Sequence, residues 1–150
     1  MENRYYPRWF ELYELLPPEV FSWEDMVAKE KHLQKGWSLL DNKLLETIDV
    51  VRDIIGLPLI CNTWFQNGER RNSGYRSAGC TVGAAKSQHK LGKAVDLICS
   101  KMSAEDMRRK IIQHQDKLPY PIRMEDDVNW LHIDVKEQDY KGNKIYLFKG

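Results

Sequence analysis

Asp96 stands inside an otherwise apolar run, Ala94 to Cys99, where an ionised carboxylate is costly unless a cation or a metal compensates it. A second apolar run, Trp130 to Val135, carries His132, and the polar segment just ahead of the first run carries His89. Two neutral imidazoles and one carboxylate suit zinc and leave a fourth position open, the arrangement of a catalytic rather than a structural site. With one carboxylate against Zn²⁺ the site keeps a positive charge, which acidifies water held there. A single strand histidine is more often a core or surface residue than a ligand, so the reading rests on the convergence of all three.

Their spacing adds specificity. Ser87, His89, Gly92, Ala94 and Asp96 fit the pattern S-x-H-x-x-G-x-A-x-D, and Trp130, His132 and Asp134 fit W-x-H-x-D. Together with Ser73-Gly74-Tyr75-Arg76-Ser77, these segments resemble the zinc D-Ala-D-Ala carboxypeptidase and phage endolysin (L-alanyl-D-glutamate peptidase) family, which shares its metal site with lysostaphin and the hedgehog signalling domain. The resemblance extends loosely to Trp64 and the N-terminal helices. It implies Zn²⁺ as cofactor and His89, Asp96 and His132 as its ligands. It also implies a peptidoglycan stem peptide as substrate, cut between D-Ala residues or at L-Ala-D-Glu.

Such a peptidase needs a carboxylate that takes a proton from the attacking water and passes it to the leaving amine. Relatives often hold this acid a few residues before the last histidine, but three residues before His132 this chain has Asn129, which cannot act as a base. Glu125, Asp126 and Asp127 are the candidates. Glu125 follows a strand entering a hairpin and is the preferred base, with the two aspartates at the tip; the plain alternative is that all three are solvated turn acids.

Amide hydrolysis builds an oxyanion, which a guanidinium can stabilise, as it can a substrate carboxylate. Arg76 takes this role in our reading, with Arg70 and Arg71 as competitors; as a loop residue it is expected to carry little fold stability. Ser87 either touches substrate or orients His89, a plain loop hydroxyl being as good an account. Asp134 alternates with His132 on one strand face and can support that imidazole from behind. Trp64 and Trp130 are candidate cleft walls, although aromatics of this kind are more often core. His32, His114, Cys61 and Cys99 are assigned no chemistry.

The elements that must position these residues can also be read. Leu40, Leu44, Leu45, Ile48, Val51, Ile54 and Ile55 keep helical spacing, with Asp41 as N-cap and Gly56 as stop. Ser103-x-x-Asp106 caps a second helix, and the aromatic stretch from Tyr5 to Lys35, broken at Pro17-Pro18, reads as two short helices with a start at Ser22. Pro58 to Phe65 reads as a strand leading into the glycine-punctuated loop Gln66 to Ser77, and Lys93 to Cys99 as a buried strand. Pro121 to Met124, Trp130 to Val135 and Ile145 to Phe148 read as three more strands. Helices early and strands late predict an α+β fold, a small antiparallel sheet flanked by helices.

Composition sets the outer limits. The chain has 150 residues, 42% hydrophobic and 30% charged, which suits one globular domain over 1–150 rather than a disordered segment. Its 23 Lys and Arg against 22 Asp and Glu leave a charge of +1, so no nucleic-acid or anionic-lipid partner is expected. Three cysteines without a C-x-x-C pair argue for reduced thiols. No run approaches the roughly 18 apolar residues of a membrane span, and no apolar signal region opens the chain. The expectation is therefore a cytoplasmic monomer as synthesised, reaching the wall only on lysis. The rival readings are a non-catalytic zinc domain that binds a peptide or protein, and a phage structural module in which zinc stabilises the fold.

Overall fold

The computed structural model describes residues 3–84 and 86–150. Helix α3, Asn42–Ile55, is the spine: the Asp41 carboxylate accepts from Lys43 N at 2.7 Å, and Gly56 ends the helix in the left-handed region at φ 75°. Its stripe of Leu44, Leu45, Ile48, Val51 and Ile55 is fully buried, each such side chain contributing about 1.5–3 kcal/mol on leaving water. Asp49, on the same helix but nearly buried, accepts from the Tyr5 hydroxyl and from the Arg8 and Trp9 amides, which ties the N-terminal segment to the spine. That segment holds α1, Leu12–Leu15, and α2, Trp23–Val27, as read, followed by two 3₁₀ segments. The Ser22 hydroxyl caps α2 and the Ser103 hydroxyl caps α4, Ala104–Gln113. Among the described residues no helix is long and apolar enough to cross a membrane.

Four strands, β1 (Ala94–Leu97), β2 (Ile122–Glu125), β3 (Leu131–Asp134) and β4 (Ile145–Phe148), form one sheet in the order β1-β3-β2-β4. The expected purely antiparallel sheet is corrected here: β1 and β2 each run antiparallel to β3, but β4 runs parallel to β2. Both edges of β3 are already taken by β1 and β2, so β4 adds at the free edge of β2. The connection after β3 carries the chain back to the end where β2 begins, Ile145 pairing with Ile122.

Pro58 to Phe65 is not the strand that its composition predicts. Only Ile60 makes a ladder contact, opposite Ile98, and Trp64–Gln66 is a 3₁₀ turn. Loops outcompete the sheet for this backbone: Asn62 N donates to Glu14 O, and both Thr63 N and Trp64 N donate to Arg70 O. The Asn62 side chain donates to Leu16 O and accepts from Ser73 N. The strand read over Lys93 to Cys99 shortens to β1, with Ile98 and Cys99 in isolated pairings.

The period of two then sorts side chains across the sheet. Val95, Leu97, Ile122, Met124, Leu131 and Ile133 face the helices and form the core with α3 and α4. Asp96, Arg123, Glu125, His132 and Asp134 take the other face.

Candidate metal centre

Three local devices bring the histidines and Asp96 together. Asp96 and His132 are direct cross-strand partners on β1 and β3, a position at which Cβ atoms lie about 4.5–5.5 Å apart. His89 arrives on a 3₁₀ turn, Gln88–Leu91, started by the Ser87 side chain, which accepts from His89 N at 3.2 Å. The turn ends at Gly92, at φ 70°, where a Cβ would also overlap the Leu39 carbonyl; no other residue type fits. The Ser73 to Ser77 segment stitches both parts: Ser73 O accepts from Asp96 N at 2.7 Å, and Arg76 N donates to His89 O at 3.1 Å. Gly74 packs so tightly on the Leu15 backbone that a side chain there would collide with it.

One ligand atom each from His89, Asp96 and His132 lie within 4.8 Å of one another. His89 Nε2 is 3.3 Å and His132 Nδ1 2.8 Å from the same oxygen, Asp96 Oδ1. The far nitrogen of each ring meets an acceptor: His89 Nδ1 lies 2.9 Å from Gly74 O, and His132 Nε2 lies 2.7 Å from Asp134 Oδ2. An imidazole that donates its outer N–H in this way turns the lone pair of the other nitrogen to the centre, as metal-ligating histidines almost always do. The nitrogen, nitrogen, oxygen donor set matches zinc, so these residues fit the ion.

Burial raises the Asp96 carboxyl, but hydrogen bonds from His132 and His89 outweigh it and hold the group well below the usual carboxylate range. Burial lowers His132, yet its bonds to Asp134 and Asp96 push it up to about 9. Asp134 is raised by burial and brought below its ordinary value by His132 and by Arg123, which grips both its oxygens.

The three residues open into a cavity of about 610 Å³ that is also lined by Arg76, Arg123, Glu125, Trp130 and Phe148. Glu125 therefore shares the space of the His-Asp-His group. The other two acids do not: the Asp126 carboxylate lies 3.8 Å from Arg108, and Asp127 sits at the turn tip with φ 62°. Asn129 lines a separate depression with Asp127 and Arg108. Ser87 lines the cavity while capping the His89 turn.

Arg76 lines the cavity too, but it is not the exposed loop residue that was expected. It is 9% exposed, donating from Nε to Asn72 O at 2.8 Å and lying with Nη2 3.4 Å from Asp96 Oδ2. The partly buried carboxylate of Asp96 draws it inward, so it carries structure as well as charge. Its competitors are elsewhere: Arg70 donates to Cys61 O and Arg71 pairs with Glu19. Trp130 is a cavity wall, whereas Trp64 donates to Leu16 O and packs with Phe21 and Phe65 away from the cavity.

Sequence reasoning passed over Arg123 and Phe148. The signal for Arg123 was present in β2, where Arg123 and Glu125 alternate with the core residues Ile122 and Met124. Phe148 had none, because its place depends on β4 joining the far edge of β2.

The sequence model of the family described as Peptidase M15 matches residues 19–134, a span that contains every one of the segments stitched together above. No curated protein and no solved structure shows a significant match.

Proposed function

The chain belongs to the M15 peptidase family, and from that premise we propose that it is a zinc metallopeptidase that hydrolyses a peptide bond in peptidoglycan stem peptides, either D-Ala-D-Ala or L-Ala-D-Glu. The observation that carries the reading is the convergence of His89, Asp96 and His132 in a cavity that also holds Glu125 and Arg76. A non-catalytic binding module needs no base there, so Glu125 favours the enzyme.

In this reading His89 Nε2, an Asp96 oxygen and His132 Nδ1 hold the ion. Zinc, when bound, supplies Lewis acidity that polarises the scissile carbonyl and acidifies water. The chain's own groups do the rest. The Glu125 carboxylate takes the proton of the attacking water and returns it to the departing amine nitrogen. Arg76 stabilises negative charge, either the growing oxyanion or a substrate carboxylate, from a position where the cavity walls limit screening. Trp130, 38% exposed at the cavity rim, supplies an apolar wall against which an alanine methyl can rest.

The test is a digest of purified muropeptides by the zinc-loaded protein, with product masses read by mass spectrometry. Loss of a terminal alanine identifies a carboxypeptidase, and scission after L-Ala an endopeptidase. Glu125→Gln is expected to keep its zinc and lose at least about 10²-fold in rate, while Asp126→Asn and Asp127→Asn stay near wild type. A wild-type protein that binds zinc and cuts neither bond, or a fully active Glu125→Gln, refutes the proposal.

A further inference from the structure

The carboxylate behind His132 is held more firmly than one hydrogen bond requires. Asp134 is fully buried, and besides its 2.7 Å contact with His132 Nε2 it accepts from Arg123 Nε at Oδ1 and from Arg123 Nη2 at Oδ2, each at 2.9 Å. Lys136 N adds a further bond to Oδ1 at 3.1 Å. The Arg123 guanidinium in turn lies 4.1 Å over the Phe148 ring, and that ring meets the His132 imidazole edge-on at 5.5 Å. Adjacent strands β3, β2 and β4 thus each contribute to a closed circuit around one imidazole. Phe148 lies beyond residue 134, where the family match ends.

A guanidinium fork on a carboxylate fixes its plane as well as its place, which an ammonium cannot do. With that plane set and Oδ1 occupied by Arg123 Nε and Lys136 N, Oδ2 is the oxygen left to receive the His132 proton. The imidazole is then held with Nε2 against Asp134 and Nδ1 turned to the Asp96 side. Were Asp134 free to rotate, His132 could tilt or flip and lose that alignment.

We propose that Arg123 is a positioning residue for the metal centre: through Asp134 it fixes the His132 ring with Nε2 on the carboxylate and Nδ1 presented for ligation, and the Phe148 ring holds Arg123 in register. The inference rests on the reading of His132 as a metal ligand.

Two measurements test it, neither of them turnover: zinc affinity by competition with a chromophoric chelator, and the ¹⁵N imidazole spectrum of His132 in the zinc-loaded protein. Wild type is expected to show a protonated, pyrrole-type Nε2 and a ligated Nδ1. Arg123→Lys keeps the charge without the fork, and its zinc Kd should rise about 10-fold, with Arg123→Met approaching 100-fold, the range for losing support behind a ligand. Phe148→Ala should shift both readouts in the same direction by a smaller factor. In the Arg123 variants the His132 signals should split or broaden between Nδ1-ligated and Nε2-ligated ring orientations, a change that a merely stabilising residue would not cause. If Arg123→Met does not fold, Arg123→Lys and Phe148→Ala decide the matter. Wild-type zinc affinity and a single Nδ1-ligated His132 signal in those two variants overturn the proposal. Failure of the underlying reading looks different: wild type itself then takes up no zinc, and the inference falls with it.

Discussion

Stripping metal from this protein should make its stability fall as the pH rises above neutrality. Without an ion, His132 sits between Asp96 Oδ1 at 2.8 Å and Asp134 Oδ2 at 2.7 Å, and both contacts favour the imidazolium. Burial alone would lower its pKa, but the two carboxylates carry it from 6.5 to about 9. Because the folded value is the higher one, the stabilisation is present in full below 6.5 and disappears as the pH climbs through about 9. The interval, 9 less 6.5, at about 1.4 kcal/mol per pH unit, bounds the effect at about 3.5 kcal/mol. For a chain of this length that corresponds to a loss of at most roughly 7–14 °C in Tm. Scanning calorimetry of chelator-treated protein between about pH 6 and 10 measures it, with His132→Gln as the control that should flatten the slope. Zinc loading should do the reverse: the ion must displace the His132 proton, so the gap in Tm between loaded and stripped protein should widen as the pH rises. A stripped wild type with the same Tm at both ends of the range, or an undiminished slope in His132→Gln, refutes the reasoning.

Arg76→Ala should now fail in two ways, losing about 10²-fold or more in kcat/KM and also weakening zinc binding and the fold, because the guanidinium lies against Asp96 and the Asn72 carbonyl; Arg76→Lys should restore the charge but not the paired geometry. Parallel kinetics and melting curves separate the two effects, and a variant that melts like wild type contradicts the buried placement. Gly92→Ala should cost at least about 1–3 kcal/mol, since it combines a left-handed backbone with an overlap on the Leu39 carbonyl, and chemical denaturation will show it. At the acid end, Asp96 and Asp134 have lowered values, so the stability they provide is present above about 3.8 and is lost as the pH falls below it. An acid titration followed by circular dichroism in Asp134→Asn should accordingly show a shallower loss than in wild type.

Much of the centre was legible because local patterns carry it. A lone acid in an apolar strand, a histidine two residues from another acid, and a glycine needed for a left-handed turn are all constraints that act within a few residues, and the chain writes them in order. The helix caps at Asp41, Gly56, Ser22 and Ser103 were legible for the same reason: a cap satisfies backbone groups of its own first or last turn. The place of Glu125 at the end of a strand entering a hairpin was legible too, and the alternation of β2 puts it on the face of Arg123, with Asp126 and Asp127 beyond the strand.

The remainder was decided between segments distant in sequence. Pro58 to Phe65 has the composition of a strand, but its backbone amides found partners in Glu14 and Arg70, and the Asn62 side chain bonds Leu16 and Ser73, so contacts beyond the segment decide its shape. Arg76 reads as a polar loop residue until the partly buried carboxylate of Asp96, twenty positions away, gives it an inward partner. The parallel placement of β4 depended on which sheet edge was still open once β1, β2 and β3 had paired, and with it came the Phe148 ring over Arg123 and against His132. Residue types and short spacings determined which groups could bind a metal and move a proton. Tertiary structure decided which of them meet, because edge pairing and the compensation of buried charge are settled only when the whole sheet is assembled.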